Sequence, residues 1–380
     1  MEKKKVLITY ATYGSGHKTV ANYIYEYFVK HNEYEVKIID LMDYENIIGH
    51  ISKKAFEQNF KHKINSFIFS IIYEFFDFKA TTIPYKSATK SIFKNQRLKE
   101  DIIKYNPDLL ISTHFFGNIV MGMLNKKKQT HAKIISVLTD YISHEMWLKD
   151  EKSVNAFIVS NDIVKNELID KNINRNKIYS YGIPISDNFH NLEDPNKIKT
   201  KYNVNNNKKT FLFFAGGSIG SSFTIKYLKK LLSYKYDINI IFVCGKNEKL
   251  KRKAQKLIEK YEYNNVTILG FSNEVNNLLN ICDVVITKPG GMSITESMAM
   301  KKPMLLIPGN GGNEIHNARF ICKKGYGFMC RTPRKLSKIV GKVLKRKTIL
   351  INMKLKLNKC DDNKSIEKIY KLSKSILRKL

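Results

Sequence analysis

Asp283-Val-Val-Ile-Thr-Lys288-Pro-Gly-Gly291-Met-Ser293-Ile-Thr-Glu296, then Pro303-Met-Leu-Leu-Ile-Pro308-Gly309, then Asn313-Glu314-Ile-His-Asn317, is the stretch that decides how this chain folds. Residues 283–287 form a short β-branched run, the pattern of a strand buried on both faces of a parallel sheet. Pro289, Gly290 and Gly291 end that strand and leave backbone amides free. Residues 292–300 then read as a helix whose first turn faces the loop. A helix N-terminus behind a glycine turn attracts anions, because its N–H groups and the positive end of its dipole point the same way. Glu296, one turn in, is too acidic to hold a phosphate and suits the two adjacent hydroxyls of a ribose. Diphosphate plus ribose describes a nucleotide, and without Gly-x-x-x-x-Gly-Lys-Ser/Thr the site is not a P-loop. The competing reading is an ordinary βα turn in a nucleotide-free domain. Glu296 and the Asn-Glu-x-x-Asn block in register argue against it.

Outward from this block the same rhythm repeats. Strands are expected at 210–215, 238–244, 266–269 and 304–307 in the second half of the chain. In the first half they are expected at 6–10, 36–39, 109–112, 133–138 and 156–159, with a helix over 19–30. Strands alternating with helices predict doubly wound parallel sheets of α/β class. The polar, Asn- and Lys-rich stretch 186–209 separates the two halves. The expected domains are therefore 1–187 and 188–345, with a basic helical segment over 346–380. In such sheets ligands sit at the carboxyl ends of the strands, so two facing domains would share one interdomain cleft.

A chain of 380 residues that is 43% hydrophobic is long enough for two full cores. Its net charge of +32 is unusual. Residues 331–380 alone hold 17 Lys and Arg against 3 Asp and Glu. Such a surface suits nucleic acid or an anionic membrane. No helix-turn-helix pattern, zinc-ligand spacing or RNP-type aromatic motif accompanies it, so no nucleic-acid partner is expected. The five cysteines, Cys244, Cys282, Cys322, Cys330 and Cys360, are scattered. Cys244 and Cys282 lie in apolar runs and read as small buried hydrophobes of a reducing cytoplasm. The N-terminus reads as a first strand, not a signal peptide, and no run reaches the ~18 apolar residues a transmembrane helix needs.

Tyr13-Gly14-Ser15-Gly16-His17-Lys18 follows the first strand and opens the first helix. The dinucleotide pattern Gly-x-Gly-x-x-Gly is not completed, which argues against NAD. His17 falls at the helix start, where a neutral imidazole is a fitting base for an alcohol. The alternative is a histidine that merely caps the loop. Further on come Thr139-Asp140-Tyr-Ile-Ser-His144-Glu-Met-Trp147, Gly182-Ile-Pro-Ile185 and Val243-Cys-Gly-Lys-Asn247. Asp140 ends a buried strand, where an N-cap is the plain reading. Trp147 reads as core or cleft wall.

These five motifs, in order over roughly residues 5–335, resemble the processive diacylglycerol β-glucosyltransferases of low-GC Gram-positive bacteria. They are similar also to the plant monogalactosyldiacylglycerol synthases. The resemblance implies the two-Rossmann GT-B fold, in a family 28-like form, with the basic segment 346–380 crossing back to the first domain. It implies transfer of a hexose, glucose first, from a UDP-sugar to 1,2-diacylglycerol, with inversion, no cofactor and no metal; the lack of an Asp-x-Asp pair agrees. His17 and Asp140 are then the catalytic candidates, with Asp140 on the acceptor side and pairing with His17. The donor side is expected to use Gly16, Gly216, Gly217, Ser218 and Phe271. From the opening block it adds Lys288, Gly290, Gly291, Ser293, Glu296, Asn313, Glu314 and Asn317. One departure stands out: the family's Pro-Gly-Gln-Glu-x-x-Asn is lengthened here by Asn310-Gly311-Gly312, and Asn313 replaces Gln, which bears on the identity of the donor sugar. The enzymatic alternative is an N-acetylglucosamine transferase acting on a lipid-linked peptidoglycan precursor. An idle nucleotide-sugar sensor is the alternative from another class.

Residues 64–78 are densely apolar and aromatic, with Phe67, Phe69, Ile71, Phe75 and Phe76 among them. Lysines flank the run, which is too short to span a bilayer. It reads as an interfacial segment or as a buried core helix with a solvated rim. A diacylglycerol acceptor never leaves the bilayer, which favours the first. The expected location is the cytoplasmic face of the cell membrane, peripherally bound to an anionic surface.

Overall fold

The computed structural model describes residues 3–12, 15–44, 94–143, 145–216, 221–234, 237–309 and 312–378. The membrane candidates Phe67, Phe69, Ile71, Phe75 and Phe76, the donor candidates Gly217 and Ser218, and His144 lie outside them. The chain forms two compact units. The first runs to Ser186 and resumes at Asn363; the second takes Asp187–Asp362.

The sheet of the first unit contains β1 (Lys5–Tyr10), β2 (Glu35–Asp40), β3 (Leu109–Ser112), β4 (Lys133–Val137), β5 (Ala156–Ile158) and β6 (Ile178–Tyr179). All neighbours are parallel, in the order β2-β1-β3-β4-β5-β6. The inner strands β1, β3, β4 and β5 are apolar and buried along nearly their whole length, as two-sided burial requires, while the edge strand β2 is only half-buried. Chain order reverses between β1 and β3, so the crevice above their carboxyl ends is the topological switch point. The sheet of the second unit contains β7 (Lys209–Phe214), β8 (Ile238–Val243), β9 (Val266–Leu269), β10 (Val284–Thr287), β11 (Met304–Leu306) and β12 (Gly327–Met329). It is parallel too, ordered β12-β11-β10-β7-β8-β9. That is the dinucleotide-fold order, with its switch point between β7 and β10. Two doubly wound α/β units are the expected architecture.

Two strands are absent from the sequence reading. β6 and β12 are edge strands of two and three residues, too short for any alternation to show. The first helix also starts earlier than expected, at Ser15, directly behind the glycine loop.

The basic C-terminal segment expected to begin at 346 is divided rather than continuous. The helix Thr348–Leu357 stays with the second unit, burying Leu350 and Met353 in its core. The chain returns to the first unit at Asn363. There the Asn363 side chain donates to the Ile183 carbonyl at 2.7 Å, and the Ser365 hydroxyl donates to the Gly182 carbonyl at 2.7 Å. Gly182 has φ of +89°, a conformation that favours glycine. The Gly-Ile-Pro-Ile motif is thus the seat of the returning chain. The last helix, Ser365–Leu377, sets Tyr370 edge-on to Phe28 with centroids 4.9 Å apart. Lys374 pairs with Glu33 at 2.7 Å beside it.

Candidate active site

His17 lies in the first turn of the helix that follows β1. Thr113 and His114 follow β3, and Thr139 and Asp140 follow β4. Adjacent strands therefore deliver all five residues to one carboxyl edge, at the switch point of the first unit. The backbone ladder is extended there by the Thr113 N–H, which donates to the Thr9 carbonyl at 2.9 Å. The Thr113 hydroxyl donates to the His17 carbonyl at 2.9 Å, tying the start of the helix to the end of β3.

The geometry at the His17 ring fixes its tautomer. Nδ1 lies 2.6 Å from the Thr113 carbonyl oxygen, which can only accept. Nδ1 therefore carries the hydrogen, and the Thr139 Oγ1 at 3.1 Å shares it as a second acceptor. In the neutral ring the lone pair is then on Nε2. Burial pushes the His17 pKa down, while the Asp140 charge and the Thr113 hydrogen bond oppose that shift. The result is an imidazole kept neutral with its basic nitrogen defined. Asp140 adds its charge beside the ring, and Thr113 and Thr139 both meet Nδ1.

Two aromatic groups wall the ring. His114 meets it edge-on, with centroids 4.8 Å apart, and Trp147 lies at 6.5 Å. His114 is buried as the N-cap of the helix Phe115–Lys126, its Nδ1 accepting from the Phe116 N–H at 3.3 Å. Trp147 is 4% exposed and stacks its edge on Phe115 at 6.0 Å, a wall residue as its sequence context suggests. Neither Thr113 nor His114 was singled out from sequence, although a histidine at the end of the Leu-Leu-Ile-Ser strand was a visible signal.

The second unit gathers the opening motif around β7, β10 and β11. Gly290 is the N-cap of the helix Gly291–Ala299, extended and without a side-chain cap bond. No described atom lies within 4 Å of where its side chain would be. Amides and open space thus coincide, as anion binding requires. Glu296 lies one turn on, only 8% exposed. Ser293 is half-buried in the first turn between them. Gly216, at the end of β7, approaches the Cys244 carbonyl so closely that an added Cβ would lie 3.0 Å from it. Phe271 follows β9 and is 64% exposed, with the Lys246 ammonium 5.5 Å above its ring. Gly16 belongs with His17 in the first unit.

Glu314 is more engaged than its sequence suggests. Its carboxylate pairs with Lys288 at 2.5 Å and accepts the Gly309 N–H at 2.8 Å, tying Gly309 to the residue that precedes the Pro-Gly-Gly turn. Asn317 is buried and donates its amide to the Pro289 carbonyl at 3.0 Å, bracing that turn from below. Asn313 is half-buried at the start of the same helix. The buried cysteines take no chemical part: burial pushes the Cys244 thiol up to about 11 and Cys282 to about 12.

Comparison with known proteins agrees with both halves of this description. Residues 17–185 match the family model of monogalactosyldiacylglycerol (MGDG) synthase. Residues 211–374 match that of the glycosyltransferase family 28 C-terminal domain. A processive diacylglycerol beta-glucosyltransferase of Staphylococcus carnosus is 28% identical over 386 residues, covering 100% of this chain and 94% of that protein. Its namesake in Bacillus subtilis is 29% identical over 354 residues, covering 92% and 90%. Among solved structures, the MnaA–UDP co-structure from S. aureus superposes with a TM-score of 0.68 at 14% identity, covering 99% and 98%. MurG of Acinetobacter baumannii gives 0.63 at 12%, covering 99% and 100%. At such identities the structural matches speak for the shared GT-B fold.

Proposed function

Because the chain belongs to the monogalactosyldiacylglycerol synthase family, with a second half of the family 28 type, we propose that it builds membrane glycolipids by moving glucose from UDP-glucose to 1,2-diacylglycerol. The enzyme is a UDP-sugar-dependent diacylglycerol glycosyltransferase; glucose as the sugar and inversion at its anomeric carbon are the finer parts of the proposal. The observation that carries the mechanism is the Thr113 carbonyl on Nδ1 of His17, which leaves Nε2 as the base.

In this reading Nε2 takes the proton of the free glycerol hydroxyl. The oxygen attacks the anomeric carbon as the bond to the diphosphate oxygen breaks, and UDP leaves from the opposite face. Asp140 stabilises the imidazolium so formed. On the donor side, the amides behind Gly290 and the dipole of the helix Gly291–Ala299 hold the diphosphate as its charge grows. Lys288 adds a cation, and Glu296 takes the ribose hydroxyls. Association with the cytoplasmic face of an anionic membrane brings the enzyme to its acceptor.

Radiolabelled UDP-glucose and UDP-galactose, each supplied with diacylglycerol in detergent micelles, test the reading by chromatography of the lipid product. A glucosyl lipid is expected. Transfer only from UDP-N-acetylglucosamine to a lipid-linked muramyl peptide would replace it with the alternative, for which the MurG likeness supports no more than the fold.

A further inference from the structure

The charge of the second unit is sorted by sheet face. Four helices, Ser221–Leu231, Glu248–Lys260, Pro333–Lys345 and Thr348–Leu357, bury Tyr227, Leu250, Val340 and Met353 in one core cluster with Phe213 and Phe242 of the sheet. They form one layer, with Ser221–Leu231 packed between Pro333–Lys345 and Glu248–Lys260. Together these four helices carry 16 Lys and Arg against 2 Glu. The helices Pro195–Lys201, Val275–Ile281, Gly291–Ala299 and Gly312–Lys324, outside that cluster, carry 6 Lys and Arg against 2 Glu. The excess is therefore a property of one face and not of composition alone.

The same layer exposes aliphatic side chains. Ile351 is 53% exposed and Leu355 is 57% exposed. Four residues apart on one helix, they share a face. Lys347, Lys356 and Lys359 stand exposed around them. Lysines beside outward Ile and Leu are the composition of a helix that lies in a lipid interface.

We propose that this helical layer of the second unit is a docking surface for an anionic phospholipid bilayer, its lysines meeting the headgroups and Ile351 and Leu355 entering the acyl boundary. A nucleic acid would satisfy the lysines but offers nothing to the aliphatic pair. The proposal deepens the functional reading, which requires access to a lipid acceptor, and it rests on residues other than 64–78.

Flotation of the full chain with phosphatidylcholine vesicles, with and without phosphatidylglycerol, tests it. Two variants are compared: Lys226→Gln/Lys230→Gln/Lys338→Gln/Lys342→Gln, and Ile351→Ser/Leu355→Ser, all at exposed positions. The wild type should float with phosphatidylglycerol vesicles and be released by salt. The lysine variant should lose up to about 600-fold in partitioning, since each of the four cations contributes roughly five-fold near the surface. The aliphatic variant should lose about ten-fold. Both should turn over normally on diacylglycerol in neutral detergent micelles, which shows that they fold. Wild-type flotation of the lysine variant overturns the proposal. So does a wild-type preference for duplex DNA over vesicles at equal salt that the lysine variant abolishes. A chain that floats as expected but transfers no sugar in micelles refutes the enzymatic reading and leaves the surface standing.

Discussion

Nδ1 of His17 lies 2.6 Å from the carbonyl oxygen of Thr113, so a backbone group performs the task that a buried carboxylate performs in many histidine-based sites. A neutral acceptor orients the ring without raising its basicity as a full charge would. Charge enters separately, from Asp140. The carbonyl that meets Nδ1 and the charge of Asp140 thus come from different residues and can be perturbed one at a time.

His17→Ala should cut kcat by about 10²–10⁴, the usual worth of a general base. UDP affinity should hardly change, because the proposed donor-side residues other than Gly16 belong to the other unit. Calorimetry with UDP beside steady-state kinetics checks both. Weakened UDP binding would recast the Gly16–His17 turn as a diphosphate clamp.

Asp140→Asn should move the acid limb of kcat/KM to lower pH. Burial already holds the His17 pKa below its ordinary 6.5, and the Asp140 charge partly restores it. Removing that charge leaves the imidazolium less stable, so the pKa falls further. Stability follows the same sign. Below 6.5 the unfolded chain binds the proton more readily than the folded one, so His17 costs stability as pH falls through that window. An acid limb that stays in place would detach Asp140 from the ring.

Thr139→Val removes the second acceptor on Nδ1 and should lower kcat several-fold with little effect on KM. Thr139→Ser should restore it. The pair distinguishes a hydroxyl that positions the ring from a methyl that merely packs. Equal losses in both variants would make the role steric.

Glu314→Gln frees Lys288 from its carboxylate partner. Removing an anion beside a diphosphate site should tighten UDP on the order of two- to five-fold. Discrimination between UDP-glucose and UDP-galactose should weaken as the Gly309 loop loosens. Competition assays with each nucleotide sugar would show it.

Glu296→Ala should weaken UDP by about 2–3 kcal/mol, the worth of hydrogen bonds to a charged group. Its thermal unfolding should change little by comparison. Unaltered UDP affinity would remove Glu296 from the ribose.

Much of this was legible in the sequence because buried parallel strands announce themselves. Runs such as those at 109–112 and 284–287 are apolar, β-branched and ended by Thr, Pro or Gly. The edge strands β6 and β12 were illegible, since two or three residues carry no period. The partner of His17 was illegible for a different reason: Thr113 contributes a carbonyl, which any residue possesses, so no side-chain code marks it. Thr139 stood in a recognised motif, but the eye falls on the adjacent carboxylate. The engagement of Glu314 depends on a loop of altered length, whose path only three dimensions give. The division of the C-terminal segment turned on which of two cores would take Leu350 and Met353, and sequence patterning cannot choose between two cores.

The return of the chain to the first unit at Asn363 has a consequence for biosynthesis. Among the described residues the second unit is the single stretch Asp187–Asp362, and the first lacks its closing helix until residues 365–377 emerge. At ~5–20 residues per second, residues 187–362 occupy a ribosome for roughly 10–35 s. Through that interval Phe28 is without Tyr370, and Gly182 is without the Ser365 hydroxyl. The half of the enzyme made first is thus the half finished last. A nascent chain stalled after residue 362 would present a complete second unit and an unclosed first one, a species for chaperones to shield.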